Sequence, residues 1–111
     1  MKTIKSSADI SRVFDKGTRI NTPAVTLIVL RNEEQHGHDG RAAFVAGKKL
    51  GNAVWRNRAK RRMRAACKSL DEPFSGCDVV FLAKRSINNV EYSALVENLS
   101  KAIRKNGLSV R

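Results

Sequence analysis

Residues 41–70 read RAAFVAGKKLGNAVWRNRAKRRMRAACKSL and contain ten basic side chains but no Asp or Glu. The first part, RAAFVAG, carries Phe44 and Val45 among small residues, which is typical of a strand packed closely against its neighbours. Residues 52–70 begin at a candidate N-cap, Asn52, and their apolar side chains recur every three or four positions, which predicts a helix with one side in the core. These apolar residues are Trp55, Ala59, Met63, Ala66 and Leu70.

The opposite side of this predicted helix is cationic. It gathers Asn57, Lys60, Arg61, Arg64 and Lys68, with Arg56, Arg58 and Arg62 along the flanks of the apolar stripe. Like charges at these spacings repel one another, and a solvated surface helix usually mixes both signs. We therefore expect an external anion to neutralise the ten basic residues of the stretch. Arginine outnumbers lysine on the helix, which favours phosphate because the planar guanidinium donates paired hydrogen bonds.

The whole chain shares this positive charge. Its 22 Lys and Arg against 10 Asp and Glu give a formal net charge of +12. Nucleic acid is the first partner class that this favours, with an anionic membrane second. No run approaches the roughly 20 apolar residues of a spanning helix, and the N-terminus lacks a signal-peptide core. We therefore expect a cytoplasmic protein without membrane association, folded as a single domain over residues 1–111.

Two groups of reactive side chains could suggest metal chemistry. Cys67 and Cys77 do not have zinc-ligand spacing, so we interpret them as free buried thiols. His36, His38 and Asp39 lie in a glycine-rich charged run that is typical of a loop. The carboxylates are scattered, whereas a nuclease site made by protein needs them clustered around metal ions. We predict no catalytic residue and no metal site in the protein.

The remaining segments alternate between helix and strand. Residues 6–16 predict a short amphipathic helix that ends at Gly17, and residues 18–22 favour a further short strand. The β-branched run at 25–30 predicts a strand, which we expect to form an antiparallel hairpin with residues 41–46.

The C-terminal part contributes one more strand and one more helix. Residues 77–84 are almost wholly apolar, which is typical of a strand covered on both faces, and residues 92–103 keep helical spacing. The order α-β-β(-β)-α-β-α predicts an α+β fold, a two-layer α/β sandwich with helices on a mixed sheet. A helix between residues 41–46 and 77–84 suggests a βαβ crossover.

Residues 48–64, KKLGNAVWRNRAKRRMR, closely resemble the signature of the bacterial ribonuclease P protein subunit, including its Arg-Asn-Arg core. Residues 10–20 resemble that family's N-terminal helix and turn, and residues 76–87 resemble its late strand. The resemblance implies the protein cofactor of a ribozyme, whose RNA subunit removes the 5′ leader of precursor tRNA. It implies that Mg²⁺ is bound mainly by the RNA and not stably by the protein alone. It also implies a left-handed crossover, whereas the general rule for βαβ units predicts a right-handed one.

The resemblance assigns two binding surfaces. The first, for the RNA subunit or the nearby tRNA, comprises Lys48, Lys49, Asn52, Arg56, Asn57, Arg58, Lys60, Arg61, Arg64 and Lys68. The second is a cleft between the first helix and the sheet that takes the 5′ leader, and it comprises Ile10, Phe14, Ile28 and Lys49. Ile10 and Ile28 stand where family members often carry aromatics, and core packing is the alternative role for Phe14.

A second class of function uses the same basic helix. An architectural RNA- or DNA-binding protein of the ribosomal type would need no role in tRNA processing, and composition alone does not separate RNA from DNA. The chain has no dimerisation heptads, which argues against a zipper-type DNA reader. The partners that the resemblance implies are the RNA subunit and precursor tRNA, and we expect no membrane and no obligate protein partner.

Overall fold

A computed structural model of the chain describes residues 2–31, 40–70 and 76–108. The described residues form five strands and three α-helices. In chain order these are β1 (Lys2–Thr3), α1 (Ser7–Lys16), β2 (Thr18–Asn21), β3 (Val25–Arg31), β4 (Arg41–Val45), α2 (Ala53–Lys68), β5 (Cys77–Ala83) and α3 (Tyr92–Lys105). Two short 3-10 turns, Lys48–Leu50 and Arg85–Asn88, precede α2 and α3.

The strands form one mixed sheet in the order β1-β4-β5-β3-β2. β5 runs parallel to β4 and antiparallel to β3, and β2 pairs antiparallel with β3. The predicted α+β class, the mixed sheet and the further short strand, β2, are confirmed. α2 connects the parallel neighbours β4 and β5, as the predicted crossover requires. The left hand of that crossover stays a prediction.

The predicted hairpin between β3 and β4 is wrong, because β5 lies between them and pairs with both. Val79, Val80 and Phe81 of β5 have no exposed surface. Burial of these apolar side chains on both faces favours the central position of β5 in the sheet. A long connection does not impose pairing on the strands that it joins, unlike a tight turn. Most of the connection, residues 32–39, lies outside the described residues.

Helices cover both faces of the sheet. On one face α2 and α3 enclose the larger core, to which β3 and β5 contribute Leu27, Val79 and Phe81. On the other face α1 packs over Ile28 and Val80. The predicted two-layer sandwich therefore gains a partial third layer, because successive residues of β3 and β5 point to opposite faces and both sets are apolar.

The two faces of α2 follow the sequence pattern. The Oδ1 atom of Asn52 accepts a hydrogen bond from the Trp55 backbone N–H at 2.9 Å, which confirms the predicted N-cap. Ala59, Met63 and Ala66 are fully buried, and Trp55 packs against the same core. The predicted apolar stripe is therefore confirmed, and it anchors the cationic side of the helix.

Cys67 and Cys77 are buried thiols in the larger core, as the sequence predicts. Burial raises the pKa of the Cys67 thiol to about 11, because a thiolate loses its hydration there. Desolvation also raises the pKa of Cys77. Both groups therefore act as small apolar side chains near neutral pH.

We expect Gly17→Ala to lower the free energy of unfolding by about 1 to 3 kcal/mol. A Cβ atom at position 17 would lie 2.6 Å from the Val13 carbonyl oxygen and 2.7 Å from the Ile28 Cγ2 atom. α1 would then have to shift away from β3. The control is Gly47→Ala, since no atom lies within 4 Å of that Cβ and its φ of −64° suits alanine. Urea denaturation followed by circular dichroism measures both, and equal stability of the two variants would contradict the prediction.

Candidate nucleic-acid interface

The outer side of α2 is a dense cationic surface. Of the residues predicted to bind RNA on this helix, most are exposed and the remaining two, Arg56 and Lys60, are partly buried; the exposed ones are Asn57, Arg58, Arg61, Arg64 and Lys68. The helix has seven Arg and Lys side chains and no carboxylate. No carboxylate in the part of the chain that the structure describes forms an ion pair with any of them. Their charge therefore remains available to an external anion.

Several of these cations are held in place by packing. The Arg64 guanidinium lies over the Phe44 ring, with its carbon 5.4 Å from the ring centroid. The Nε atom of Arg56 is buried and has no hydrogen-bond partner among the described residues. Arg62 donates a hydrogen bond to the Val90 carbonyl oxygen at 2.5 Å, so this flanking residue serves the fold. Packed stems leave the charged ends with few conformations to lose on binding.

The N-terminal end of α2 extends the cationic surface. Lys48 and Lys49 are exposed in the 3-10 turn that leads from β4 to the helix. A Cβ atom at position 51 would approach the Trp55 ring to 2.8 Å, so glycine lets the turn pass directly over the indole. Val54 is 75% exposed beside this turn, and sequence reasoning missed it because it lies off the apolar stripe. The surface thus begins at Lys48 and follows α2 to its end.

The sheet face under α1 brings together the predicted leader residues Ile10, Phe14 and Ile28 in one apolar cluster. Ile28 is fully buried and forms its floor, whereas Ile10 and Phe14 are partly exposed. Lys49 lies outside this cluster, beyond the end of β4.

Strand register extends this face beyond α1. One cross-strand row contains Ala43, Val80, Ile28 and Arg19, and the next contains Val45, Leu82, Thr26 and Asn21. Residues in one row point to the same face. Val45 and Leu82 are partly exposed and pack against the α1 cluster. The face is therefore an apolar strip that includes Val45 at the end of β4, and Lys48 and Lys49 follow shortly after this residue.

Arg19 lies on this face beside Phe14, which sequence reasoning missed. Its guanidinium carbon lies 5.9 Å from the Phe14 ring centroid, within cation–π range, and its side chain is exposed. The alternation of β2, in which Ile20 packs on the larger core, could have placed Arg19 on the α1 face.

Arg41 has internal partners, which corrects the expectation that all ten basic residues of 41–70 need an external anion. Its Nε and Nη2 atoms donate to the two Asp78 oxygens at 2.8 and 2.7 Å, and its Nη1 atom lies 3.5 Å from an Asp9 oxygen. The hydrogen bond with Asp78 raises the pKa of Arg41. Because Asp9 belongs to α1 and Asp78 to β5, this ion pair ties one wall of the apolar strip to the sheet.

In residues 2–31, 40–70 and 76–108, no three His, Cys, Asp or Glu side chains gather where they could hold a metal ion. His36, His38 and Asp39 lie outside these ranges. No helix in them has both the length and the apolar character needed to cross a membrane.

Comparisons with known proteins all lead to one family. A family model described as Ribonuclease P matches residues 1–107. A relative from Gluconacetobacter diazotrophicus, named Ribonuclease P protein component, is 32% identical over 107 residues, which is 95% of this chain and 90% of the relative. A protein of the same name from Streptococcus agalactiae is 30% identical over 105 residues, covering 95% and 94% of the two chains.

Solved structures share the fold. The RNase P protein of Staphylococcus aureus superposes with a TM-score of 0.80 at 24% identity, covering 97% of each chain. The RNase P protein from Thermotoga maritima gives a TM-score of 0.75 at 20% identity, covering 95% of this chain and 97% of that one.

We expect Asp78→Asn to lower the free energy of unfolding by about 2 kcal/mol, because it removes the carboxylate that bonds Arg41 most closely and leaves only Asp9, at 3.5 Å, to pair with this largely buried side chain. The Asp78 side chain is only 7% exposed. The control is Glu97→Gln, which removes a carboxylate from the exposed pair with Lys101 and should change stability by under about 0.5 kcal/mol. Thermal and urea unfolding measure both variants. A change at position 78 as small as that at position 97 would show that the pair between Arg41 and Asp78 does not stabilise the fold.

Proposed function

Because the chain belongs to the ribonuclease P protein family, we propose that it is the protein cofactor that assists a catalytic RNA in removing the 5′ leader of precursor tRNA. The enzyme in this proposal is the ribonucleoprotein, an endoribonuclease whose chemistry belongs to the RNA subunit. The protein contributes charge and position. The observation that carries the proposal is the cationic side of α2, whose side chains form no ion pair with the carboxylates that the structure describes.

The RNA subunit binds α2 and the turn before it in this proposal. The ten predicted contact residues run from Lys48 to Lys68, and the apolar stripe of α2 holds the seven that lie on the helix on a rigid support. Each cation that meets a phosphate releases a counter-ion, so the affinity should fall steeply as salt rises. Arginine is suited to a folded RNA, because its fork can grip phosphate and its plane can stack on a base.

The 5′ leader lies on the apolar strip beneath and beyond α1. Phe14 and Ile10 are accessible there, and Ile28 supports them from below. A single strand suits this site, because its unstacked bases can lie on an apolar platform beside cations. Lys48 and Lys49 follow the end of β4, so they can contact the RNA leader where it passes from the sheet towards α2.

Mg²⁺ belongs to the RNA in this proposal. The described residues offer no group of carboxylates or histidines fit to hold the ion, so no step of the reaction is assigned to a protein-bound metal. The protein lowers the Mg²⁺ requirement instead, because its cations neutralise phosphates that would otherwise recruit Mg²⁺. We further propose that residues 1–111 act in the cytoplasm as one RNA-binding domain without an obligate protein partner.

In reconstitution with a bacterial ribonuclease P RNA, we expect the protein to speed 5′ processing of precursor tRNA at low Mg²⁺. The rate advantage should shrink as Mg²⁺ rises, because the metal then replaces the protein's charge. Single-turnover cleavage followed by gel electrophoresis measures this, with the RNA alone as control. An architectural RNA- or DNA-binding protein would bind the RNA without changing the rate, and that result would contradict the proposal.

We expect Arg61→Gln to weaken binding to the RNA subunit by ~1 to 3 kcal/mol and to make the salt dependence shallower by about one phosphate contact. Arg61 is exposed and has no partner among the described residues, so the change should leave the fold intact. The matched control is Arg104→Gln in the last turn of α3, which removes the same charge from outside the proposed surface. Filter binding at several salt concentrations compares them. Equal salt slopes in the two variants would remove Arg61 from the interface.

A further inference from the structure

Arg19 occupies a defined place on the apolar strip. The register pairs it with Ile28 and places it in the row that continues to Val80. Its guanidinium lies over the Phe14 ring and is exposed to solvent. It forms no ion pair with any carboxylate that the structure describes. The planar Arg19 guanidinium thus lies over the Phe14 ring, while its N–H groups remain accessible to a ligand.

The strip offers few other surfaces on which a base can stack. Phe14 is the one aromatic residue in the cluster beneath α1, among the residues described. Ile10 is aliphatic and Ile28 is buried. Thr26 donates a hydrogen bond to the Asn21 Oδ1 atom at 3.1 Å, so these two polar side chains at the end of the strip already bond each other. Stacking capacity is therefore concentrated at Phe14 and the guanidinium above it.

We propose that Arg19 and Phe14 together form a stacking site for one base of single-stranded RNA, with Arg19 also bonding a neighbouring phosphate. This inference rests on the proposed function, since it takes the 5′ leader as the occupant. A guanidinium can stack on a base through its plane and donate to phosphate through its edge. A base within a duplex cannot reach such a site without leaving its stack, so the site selects unpaired nucleotides. Arg19 is accordingly a leader-binding residue.

A structural role for Arg19 makes a different prediction. If the contact with Phe14 only held α1 on the sheet, Arg19→Gln would lower stability without a selective effect on leader-bearing RNA. Two substrates separate these roles, namely precursor tRNA and the same tRNA without its leader. The free energy of unfolding of each variant is measured beside the affinities.

The experiment uses the holoenzyme reconstituted with a bacterial ribonuclease P RNA. We expect Arg19→Gln to weaken binding of precursor tRNA roughly tenfold and to leave binding of leaderless tRNA unchanged. Arg19→Lys keeps the charge but not the plane, so it should retain the salt dependence and recover only part of the affinity. Arg104→Gln is the matched control and should change neither affinity.

A double-mutant cycle with Phe14→Leu tests whether the two side chains act on one base. Because both side chains would contact the same base, the sum of the binding free energies lost in the two single variants should exceed the loss in the double variant. Equal affinities for Arg19→Gln and Arg104→Gln would overturn the inference, as would equal losses on the two substrates. Failure of the unaltered protein to stimulate cleavage is a separate result, which would overturn the proposed function and this inference with it.

Discussion

β5 supports the helices on both faces of the sheet, since its central residues have no exposed surface and it pairs with β3 on one side and β4 on the other. One face of β5 meets the core of α2 and α3, and the other meets α1 and the apolar strip. The cationic helix and the strip therefore lie on opposite faces of the same sheet. The chain passes from the strip to the cationic helix at the end of β4, where Lys48 and Lys49 follow, so we expect an RNA that uses both surfaces to pass this end of β4.

The charge of α2 sets a second constraint. Seven cations on one helix repel one another, and no carboxylate among the described residues forms an ion pair with them. The buried stripe, the Asn52 cap and the hydrogen bond from Asn88 to the Trp55 carbonyl oxygen offset that repulsion within the fold. Bound phosphates would neutralise the remaining repulsion, so RNA binding would also raise the stability of the folded protein. Arg41 shows the contrast, because its charge is matched by Asp78 inside the protein.

The candidate site was predicted unevenly, for physical reasons. Helical spacing alone separated the exposed cationic residues of α2 from its core residues, because both sets repeat along one short segment. Ile10, Phe14 and Ile28 came from the family resemblance, and the structure brings them together although their contact roles stay predictions. Arg19 was missed because its significance depends on a ring in another element. Arg41 was misread because its partner, Asp78, is 37 positions away.

The basic stretch at residues 41–70 and the ends of its helix follow from the sequence, because caps and apolar periodicity act over a few neighbouring residues. The class of fold follows as well, since the alternation of helix and strand restricts the possible layers. The place of β5 between β3 and β4, the pairing of Arg41 and the position of Arg19 over Phe14 are decided only by the tertiary structure. Each of these joins segments far apart in the chain, and burial of the whole molecule selects among the pairings that local propensity leaves equal.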